Sequence, residues 1–203
     1  MSGNLVIHVI DDDVALLHSA QLLLTTEGFT AKIHASAEQF LAAFDEDGGD
    51  CVVTDVCMAG LDGITLLSTL RERGVALPVI VVTGHADIPL AVRAIKQGAF
   101  NLLEKPFRAQ ELIASIRQAC GASIVAPAAV AAKDGIEWKF STLTPRERDV
   151  LEGLLRGHPN KIIAHDLGIS QRTVEIHRAH LMRKTQAGSL AELVRMTLSI
   201  AKG

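Results

Sequence analysis

The first 120 residues alternate short apolar runs with stretches in which apolar residues recur at helical spacing. Residues 6–10 form the first apolar run, and Leu16, Leu17, Ala20, Leu23 and Leu24 follow it at intervals of about three and four. Runs rich in Val and Ile without polar alternation are typical of strands buried on both faces of a parallel sheet. The pattern predicts strands at residues 6–10, 29–33, 51–54, 79–82 and 100–103.

A helix is predicted after each of these strands. Gly28 and Gly98 end two of them, and Ser36 with Gln39 forms a capping box that opens another. The helices are expected at residues 16–24, 36–44, 64–73, 88–97 and 109–120. Five strands alternating with five helices predict the α/β class, with a doubly wound, five-stranded parallel sheet.

The last 60 or so residues carry only helical patterns. Thr144, Pro145 and Glu147 supply an N-cap, a first-turn proline and a capping-box acid. Further helices are predicted at residues 160–167, 171–184 and 189–201, and the tight turn at 167–170 joins two of them. This spacing predicts a small all-α domain with a helix-turn-helix.

The segment between the two patterns is rich in Ala, contains Pro127 and shows no firm period. We therefore expect a first domain at residues 1–120, a linker at 121–140 and a second domain at 141–203. Packing of this segment against one of the domains is the alternative.

Composition adds that the chain is globular and unequally charged. It has 203 residues, 48% of them hydrophobic, 21% charged and 3% aromatic. No apolar run is long enough to span a membrane, no secretory signal is evident, and three cysteines without CxxC spacing favour a cytoplasmic location. Residues 1–140 have a net charge of −7 and residues 141–203 one of +4, so the second domain is the candidate for nucleic acid.

Polar residues follow four of the predicted strands. Asp11, Asp12 and Asp13 come after the first, Asp55 after the third, Thr83 after the fourth and Lys105 after the fifth. The carboxyl ends of parallel strands form one crevice, where ligands bind. Clustered carboxylates suit Mg²⁺, although a single acid that caps a helix would also explain part of the run.

The same crevice suits phosphoryl transfer. Asp55 lies centrally and is our choice for a carboxylate nucleophile that forms an aspartyl phosphate. Lys105 is expected to anchor the phosphate by charge and Thr83 by a hydrogen bond. Spacing alone does not decide whether the Lys105–Pro106 peptide bond is cis.

Residues 5–120 resemble the receiver domain of bacterial two-component response regulators. The resemblance rests on the acidic cluster, Asp55, Thr83-Gly84, Phe100 and Lys105-Pro106-Phe107. It implies that Asp55 accepts phosphate from a sensor histidine kinase and that Thr83 and Phe100 form a switch. It also implies that Asp12, Asp55 and the carbonyl of Cys57 bind Mg²⁺, with Asp11 acting directly or through water. Ala59 stands where that family often has proline, so this loop is expected to be looser than in that family.

The second predicted helix of the helix-turn-helix is expected in the DNA major groove. Val174 and Leu181, with His177, are predicted to face inward, whereas Glu175, Arg178 and Ala179 face the groove or solvent. Four residues near helix N-termini are placed for phosphates, namely Asn160, Lys161, Arg172 and Thr173. A basic amphipathic helix without DNA is the alternative.

Residues 143–201 resemble the LuxR-type DNA-binding domain, through Leu143 to Glu147, Asn160-Lys161, Ile169-Ser170 and Arg172 to His177. This resemblance adds Ile176 and His177 to the DNA-binding residues. A receiver joined to this domain is similar to the FixJ group of transcription regulators. The resemblance implies double-stranded DNA as a partner, a homodimer formed on phosphorylation, contact with RNA polymerase, and activation rather than repression. Ile162 and Thr185 depart from the family pattern.

Two other functions remain open at this point. A Mg²⁺-dependent aspartyl-phosphate phosphotransferase or phosphatase would need a second acid two residues after Asp55, where Cys57 stands. A ligand-binding LuxR-type regulator would need an apolar pocket in the first domain. The transcription regulator, which is not an enzyme, is the leading hypothesis.

Overall fold

The structure is a computed structural model that describes residues 4–44, 48–84, 87–124 and 136–201. The chain divides into two compact units, residues 1–85 with 97–125 and residues 86–96 with 126–203. Helix α4 (Ile88–Lys96) belongs to the second of these units.

The first unit is a five-stranded, fully parallel sheet with strand order β2-β1-β3-β4-β5. Its strands are β1 (Val6–Ile10), β2 (Thr30–His34), β3 (Cys51–Asp55), β4 (Val79–Thr83) and β5 (Asn101–Glu104). Its helices are α1 (Val14–Thr26), α2 (Ala37–Ala43), α3 (Gly63–Glu72) and α5 (Ala109–Ile124). This arrangement confirms the predicted doubly wound α/β sheet.

The two central strands explain why the acidic residues come together. Every residue of β3 and β4 is buried, as expected for strands covered on both faces. Ile10 at the end of β1 pairs with Thr54 of β3, and Asp55 pairs with Val82 of β4. The register therefore brings the residue after β1 and the last residue of β3 to the same edge of the sheet.

The second unit contains α4 and the C-terminal helices. Residues 136–141 are helical, and the further helices are α6 (Pro145–Leu155), α7 (Asn160–Leu167), α8 (Gln171–Thr185) and α9 (Leu190–Ala201). The predicted capping box of Thr144 and Glu147 is present. Gly168 ends α7 with φ 64°, a left-handed conformation that glycine adopts without a steric cost, and Ser170 caps α8. These helices confirm the all-α helix-turn-helix.

The main difference from the predicted elements lies at the end of α5. The helix continues to Ile124, four residues into the predicted linker, because Gly121 does not end it. The centre of that linker, residues 125–135, lies outside the described residues. Among the helices in the described ranges, none is long and apolar enough to cross a membrane.

Candidate functional site

Lys105 joins the two most central carboxylates of the crevice. Its Nζ donates to Asp11 Oδ2 at 2.8 Å and to Asp55 Oδ2 at 2.8 Å. Asp11 is only 7% exposed and Asp55 8% exposed. Charge-assisted hydrogen bonds of this kind offset the cost of burying the two carboxylates.

Asp11 and Asp13, which follow β1, have different roles. Asp11 points into the crevice, where its Oδ1 also accepts from the N–H of Asp13 at 2.9 Å. Asp13 caps α1, with Oδ1 accepting from Ala15 N–H at 2.8 Å and Leu16 N–H at 3.3 Å. The capping explanation is therefore right for Asp13, whereas Asp11 belongs to the site.

Asp12 is not brought into the same cluster. It is exposed, and its Oδ2 accepts from the N–H of Ala59 at 3.1 Å. Within the part of the chain that the structure describes, no three His, Cys, Asp or Glu side chains are grouped so as to hold a metal ion. The structure thus unites Asp11, Asp55 and Lys105, whereas Asp12 is hydrogen-bonded to the loop that follows β3.

This β3–α3 loop is held from two sides. The N–H of Cys57 donates to Asp55 Oδ1 at 3.3 Å, and the thiol-bearing residue itself is exposed. From α2, Glu38 Oε1 accepts from the N–H of Leu61 at 2.8 Å. Hydrogen bonds from its own backbone and from Leu61 lower the pKa of Glu38, so it stays ionised at neutral pH. Sequence reasoning missed Glu38, because only the tertiary fold brings α2 to this loop.

The ammonium group of Lys105 remains charged in the crevice. Burial lowers its pKa, but hydrogen bonds and charge attraction from Asp11 and Asp55 outweigh burial and leave the pKa raised. A fixed positive charge beside two carboxylates can meet an incoming anion such as a phosphoryl group. The Lys105–Pro106 peptide bond is cis.

Thr83 and Phe100 are far apart along the sheet. Thr83 ends β4, is 1% exposed, and lies one residue beyond the partner of Asp55. Phe100 precedes β5, and its N–H donates to the carbonyl of Val79 at the start of β4. The residue of β5 that pairs with Val81 is Leu102, which shares a sheet face with Thr83 by the period of two. The register therefore places Leu102, and not Phe100, near Thr83.

An apolar cavity of about 220 Å³ borders the crevice. It lies between α1 and the start of α5, against residues of β1, β3 and β4. Asp11, Asp55 and Lys105 form its polar side. The volume is below the roughly 300–1,000 Å³ of ordinary small-molecule sites, so it gives little support to a ligand-binding regulator.

Two buried histidines lie on the strands behind Asp11. His8 Nδ1 and His34 Nε2 are 3.0 Å apart, and His8 Nε2 lies 3.1 Å from the carbonyl oxygen of Gly48. The backbone carbonyl of His34 accepts from the N–H of Asp11 at 3.2 Å. Burial, with the neighbouring His8 and Lys32, lowers the pKa of His34 to about 4. Both rings are therefore neutral at physiological pH.

The helix-turn-helix exposes most of the predicted DNA-binding residues. Val174 and Leu181 are fully buried, as predicted, and His177 is half-buried. Arg178 Nη1 lies 3.4 Å from Asn160 Oδ1, and the Thr173 hydroxyl lies 2.8 Å from that of Ser170. Exposed positions on α7 and α8 are Lys161, Arg172, Glu175, Ile176 and Ala179, whereas Asn160, Thr173 and Arg178 are half-buried.

A half-buried ion pair between Glu147 and Lys184 links α6 to α8 of the helix-turn-helix. Glu147 Oε2 accepts from Lys184 Nζ at 2.7 Å and from the N–H of Thr144 at 2.8 Å. Burial raises the pKa of Glu147, but these hydrogen bonds outweigh it and leave the pKa lowered. Thr185, which departs from the family pattern, is fully buried and donates to the carbonyl of Leu181 at 2.8 Å, so its hydroxyl is satisfied.

Comparison with protein families gives two matches. Residues 7–117 match the response regulator receiver domain, and residues 141–197 match the bacterial regulatory proteins of the luxR family. The transcriptional regulatory protein FixJ of Azorhizobium caulinodans is 47% identical over 98% of this chain and 94% of its own length. FixJ of Rhizobium meliloti is 43% identical over 95% of this chain and 95% of its own length.

Solved structures agree with these matches. Full-length FixJ from B. japonicum aligns over 100% of both chains with 41% identity and a TM-score of 0.57. The response regulator StyR aligns over 97% of this chain and 99% of its own, with 36% identity and a TM-score of 0.57. Regulators that join these two domains are transcription factors and not classical enzymes. Two domain matches and full-length relatives together show that this chain belongs to the FixJ group of two-component response regulators.

Proposed function

We propose that Asp55 is the phosphoacceptor of this regulator and that its donor is a sensor histidine kinase. The observation that carries the proposal is the contact of Lys105 Nζ with both Asp11 and Asp55 at 2.8 Å. The contact places a positive charge beside Asp55, where the phosphoryl oxygens would arrive. An oxygen of Asp55 attacks phosphorus, the bond from phosphorus to the donor imidazole breaks, and an acyl phosphate forms.

The donor set around Asp55 suits Mg²⁺. Carboxylates of Asp11 and Asp55 are hard oxygen ligands with unused lone pairs, and Mg²⁺ is usually held by one or two carboxylates plus waters and phosphate oxygens. The carbonyl of Cys57 would be a third ligand, and Asp12 would act directly or through water. Bound Mg²⁺ would neutralise charge on the transferring phosphoryl group.

Thr83 is proposed to respond to phosphorylation. Its position one residue beyond the partner of Asp55 supports a role for its hydroxyl at the edge of the sheet where the phosphoryl group would form. The resemblance to receiver domains implies Phe100 as the second residue of the switch. Because Leu102 pairs with Val81, two residues before Thr83 on the same face of the sheet, we propose that Leu102 transmits the change and that Phe100 is the competing assignment.

The helix-turn-helix is proposed to read double-stranded DNA through α8. Exposed Arg172 and Lys161, with Asn160 and Thr173 at helix starts, would contact phosphates, while Glu175, Arg178 and Ala179 would contact bases. Ile176, exposed at 49%, and His177 complete the surface. Homodimer formation, contact with RNA polymerase and transcriptional activation in the cytoplasm are proposed with it.

Labelling with a small phosphodonor tests the phosphoacceptor. Full-length protein with acetyl phosphate and Mg²⁺ should give an acid-stable, hydroxylamine-sensitive phosphoprotein. Asp55→Asn should abolish labelling, whereas Asp13→Asn, which alters only a helix cap, should keep it. Equal labelling of wild type and Asp55→Asn would overturn the assignment, and rapid release of phosphate would favour an aspartyl phosphatase.

A further inference from the structure

Two buried residues of the first unit enclose the main-chain carbonyl of Asp55. Thr54, the residue before it in β3, is fully buried, and its Oγ1 donates to the carbonyl oxygen of Asp55 at 3.1 Å. Gly63, the first residue of α3, is buried against the same oxygen. A Cβ atom on Gly63 would lie only 2.0 Å from that oxygen and 3.1 Å from Thr54 Oγ1. The start of α3 can therefore approach Asp55 this closely only because residue 63 has no side chain.

The residue that follows Asp55 is held from both sides. The N–H of Val56 donates to the carbonyl of Val82 in β4 at 2.8 Å. The carbonyl of Val56 accepts from the N–H of Gly63 at 3.2 Å. The main chain at Asp55 is thus fixed between β4 and the start of α3, and any displacement of residue 63 would be passed directly to it.

The position of this main chain sets the position of the Asp55 carboxylate. The carbonyl and the side chain share one Cα atom, so a displaced carbonyl also moves the side chain. The carboxylate accepts from Lys105 Nζ at 2.8 Å and from the N–H of Cys57 at 3.3 Å. A reacting group must be held within about 0.5 Å of its productive position. A side chain at residue 63 would displace the carbonyl by more than this tolerance.

We propose that Thr54 and Gly63 are positioning residues for phosphoryl transfer, because together they fix the main-chain carbonyl of Asp55. They act through Asp55 and not on the phosphoryl group itself, so the proposal rests on the proposed role of Asp55 as phosphoacceptor. The plain alternative is that both residues only stabilise the fold. That alternative predicts lower stability without a slower reaction of the molecules that remain folded.

The test measures the rate at which acetyl phosphate labels full-length protein at saturating Mg²⁺, corrected for the folded fraction. Thr54→Val keeps the branched shape but loses the hydroxyl, and it should be labelled about tenfold more slowly. Thr54→Ser keeps the hydroxyl but loses a buried methyl group, so it should lose stability and yet restore most of the rate. Gly63→Ala should be labelled about a hundredfold more slowly, because a backbone oxygen cannot rotate out of the way.

Gly153→Ala is the matched control for a crowded glycine. A Cβ atom on Gly153, which is buried in α6, would lie 2.7 Å from Ile163 Cγ1, so this variant also disturbs a close contact. That contact lies within the second unit. Urea unfolding should show a loss of stability for Gly153→Ala, whereas its folded molecules should be labelled at the wild-type rate.

Two results would overturn the positioning role. One is labelling of folded Thr54→Val at the wild-type rate, which decides the question even if Gly63→Ala does not fold. The other is a Thr54→Ser protein as slow as Thr54→Val, since lost packing would then explain both. Asp55→Asn is measured in parallel. Wild-type labelling of Asp55→Asn would overturn the phosphoacceptor and this proposal together, whereas an unlabelled Asp55→Asn beside a fast Thr54→Val would overturn the positioning role alone.

Discussion

The hydrogen bonds of His8 and His34 determine which ring nitrogen of each residue carries its proton. The carbonyl of Gly48 can only accept, so His8 carries its proton on Nε2 and offers Nδ1 as an acceptor to His34 Nε2–H. The rings are stacked, and Phe40 and Phe44 pack against His8 at their edges. This enclosure cannot hold two imidazolium charges, and Lys32 nearby adds to the repulsion.

Acid should therefore destabilise the first unit in a defined window. In the folded chain the pKa of His34 is lowered to about 4. Once the pH falls below the ordinary histidine pKa of about 6.5, the unfolded chain therefore binds more protons than the folded chain. The stabilisation is complete above about pH 6.5 and is lost as pH falls toward about 4. We expect the free energy of unfolding to fall by about 2 kcal/mol between about pH 7 and pH 5, because each pH unit in this window costs up to about 1.4 kcal/mol.

Urea unfolding at the two pH values measures this loss. His34→Gln keeps a polar side chain without a titrating ring, so its unfolding free energy should change much less with pH. His18→Gln, at an exposed position of α1, is the control and should behave as wild type. The same pH dependence in wild type and His34→Gln would show that another group is responsible.

Glu38 is expected to position the loop that carries the carbonyl of Cys57. The hydrogen bond from the N–H of Leu61 to Glu38 ties this loop to α2, two residues after Ala59. Glu38→Ala should leave this loop less well held. We expect roughly tenfold weaker Mg²⁺ affinity and slower labelling of Asp55, as for partners that orient metal ligands.

Glu72→Ala, at an exposed position of α3, removes the same charge without touching the loop. The comparison is made by titrating Mg²⁺ against the rate of labelling by acetyl phosphate. Identical titrations for the two variants would mean that Glu38 contributes only charge. Unfolding free energies of both variants serve to exclude a general loss of stability.

Most strands and helices are predictable from the sequence. Continuous Val and Ile runs are typical of strands covered on both sheet faces, and apolar residues at helical spacing indicate the helices. Residues at strand ends, such as Asp55 and Lys105, followed from that pattern. The end of α5 did not follow from the pattern. Glycine often ends a helix, but α5 continues past Gly121 to Ile124. Glu38 was missed because its partner Leu61 is 23 positions away and only the folded chain brings them together.

The register of β4 and β5 makes a prediction about the switch. Leu102→Ala should keep labelling of Asp55 but lose the change in DNA affinity that follows it, because Leu102 pairs with Val81, two residues from Thr83, whereas Phe100 lies at the level of Val79. Phe100 packs against the core, so Phe100→Ala should cost about 2 kcal/mol of stability with the response retained. The response is read as the change in DNA affinity on phosphorylation. Loss of response in Phe100→Ala alone would restore the original assignment of the switch.

At the scale of the whole molecule, the two domains carry opposite charge, with −7 on residues 1–140 and +4 on residues 141–203. The basic domain is suited to DNA phosphates, and its affinity should fall with added salt through counterion release. The acidic crevice is suited to a cation and a phosphoryl group. Regulation then requires that a change at Asp55 alter how two DNA-binding domains are presented.

Phosphorylation should convert a mostly monomeric chain to a dimer that binds paired half-sites more tightly. To shift a population from 1:99 to 99:1, the phosphoryl group must favour the dimer-competent state by roughly 5.5 kcal/mol. Charge-assisted hydrogen bonds at about 1.5–3 kcal/mol each, from groups such as Lys105 and Thr83, can supply that difference.

Analytical ultracentrifugation measures the mass, and a DNA titration at fixed salt measures the affinity. Wild type should change in both when phosphorylated, Thr83→Ala should change much less, and Asp55→Asn should not change. Phosphorylated wild type with the mass and DNA affinity of the unmodified chain would refute the coupling between the two domains.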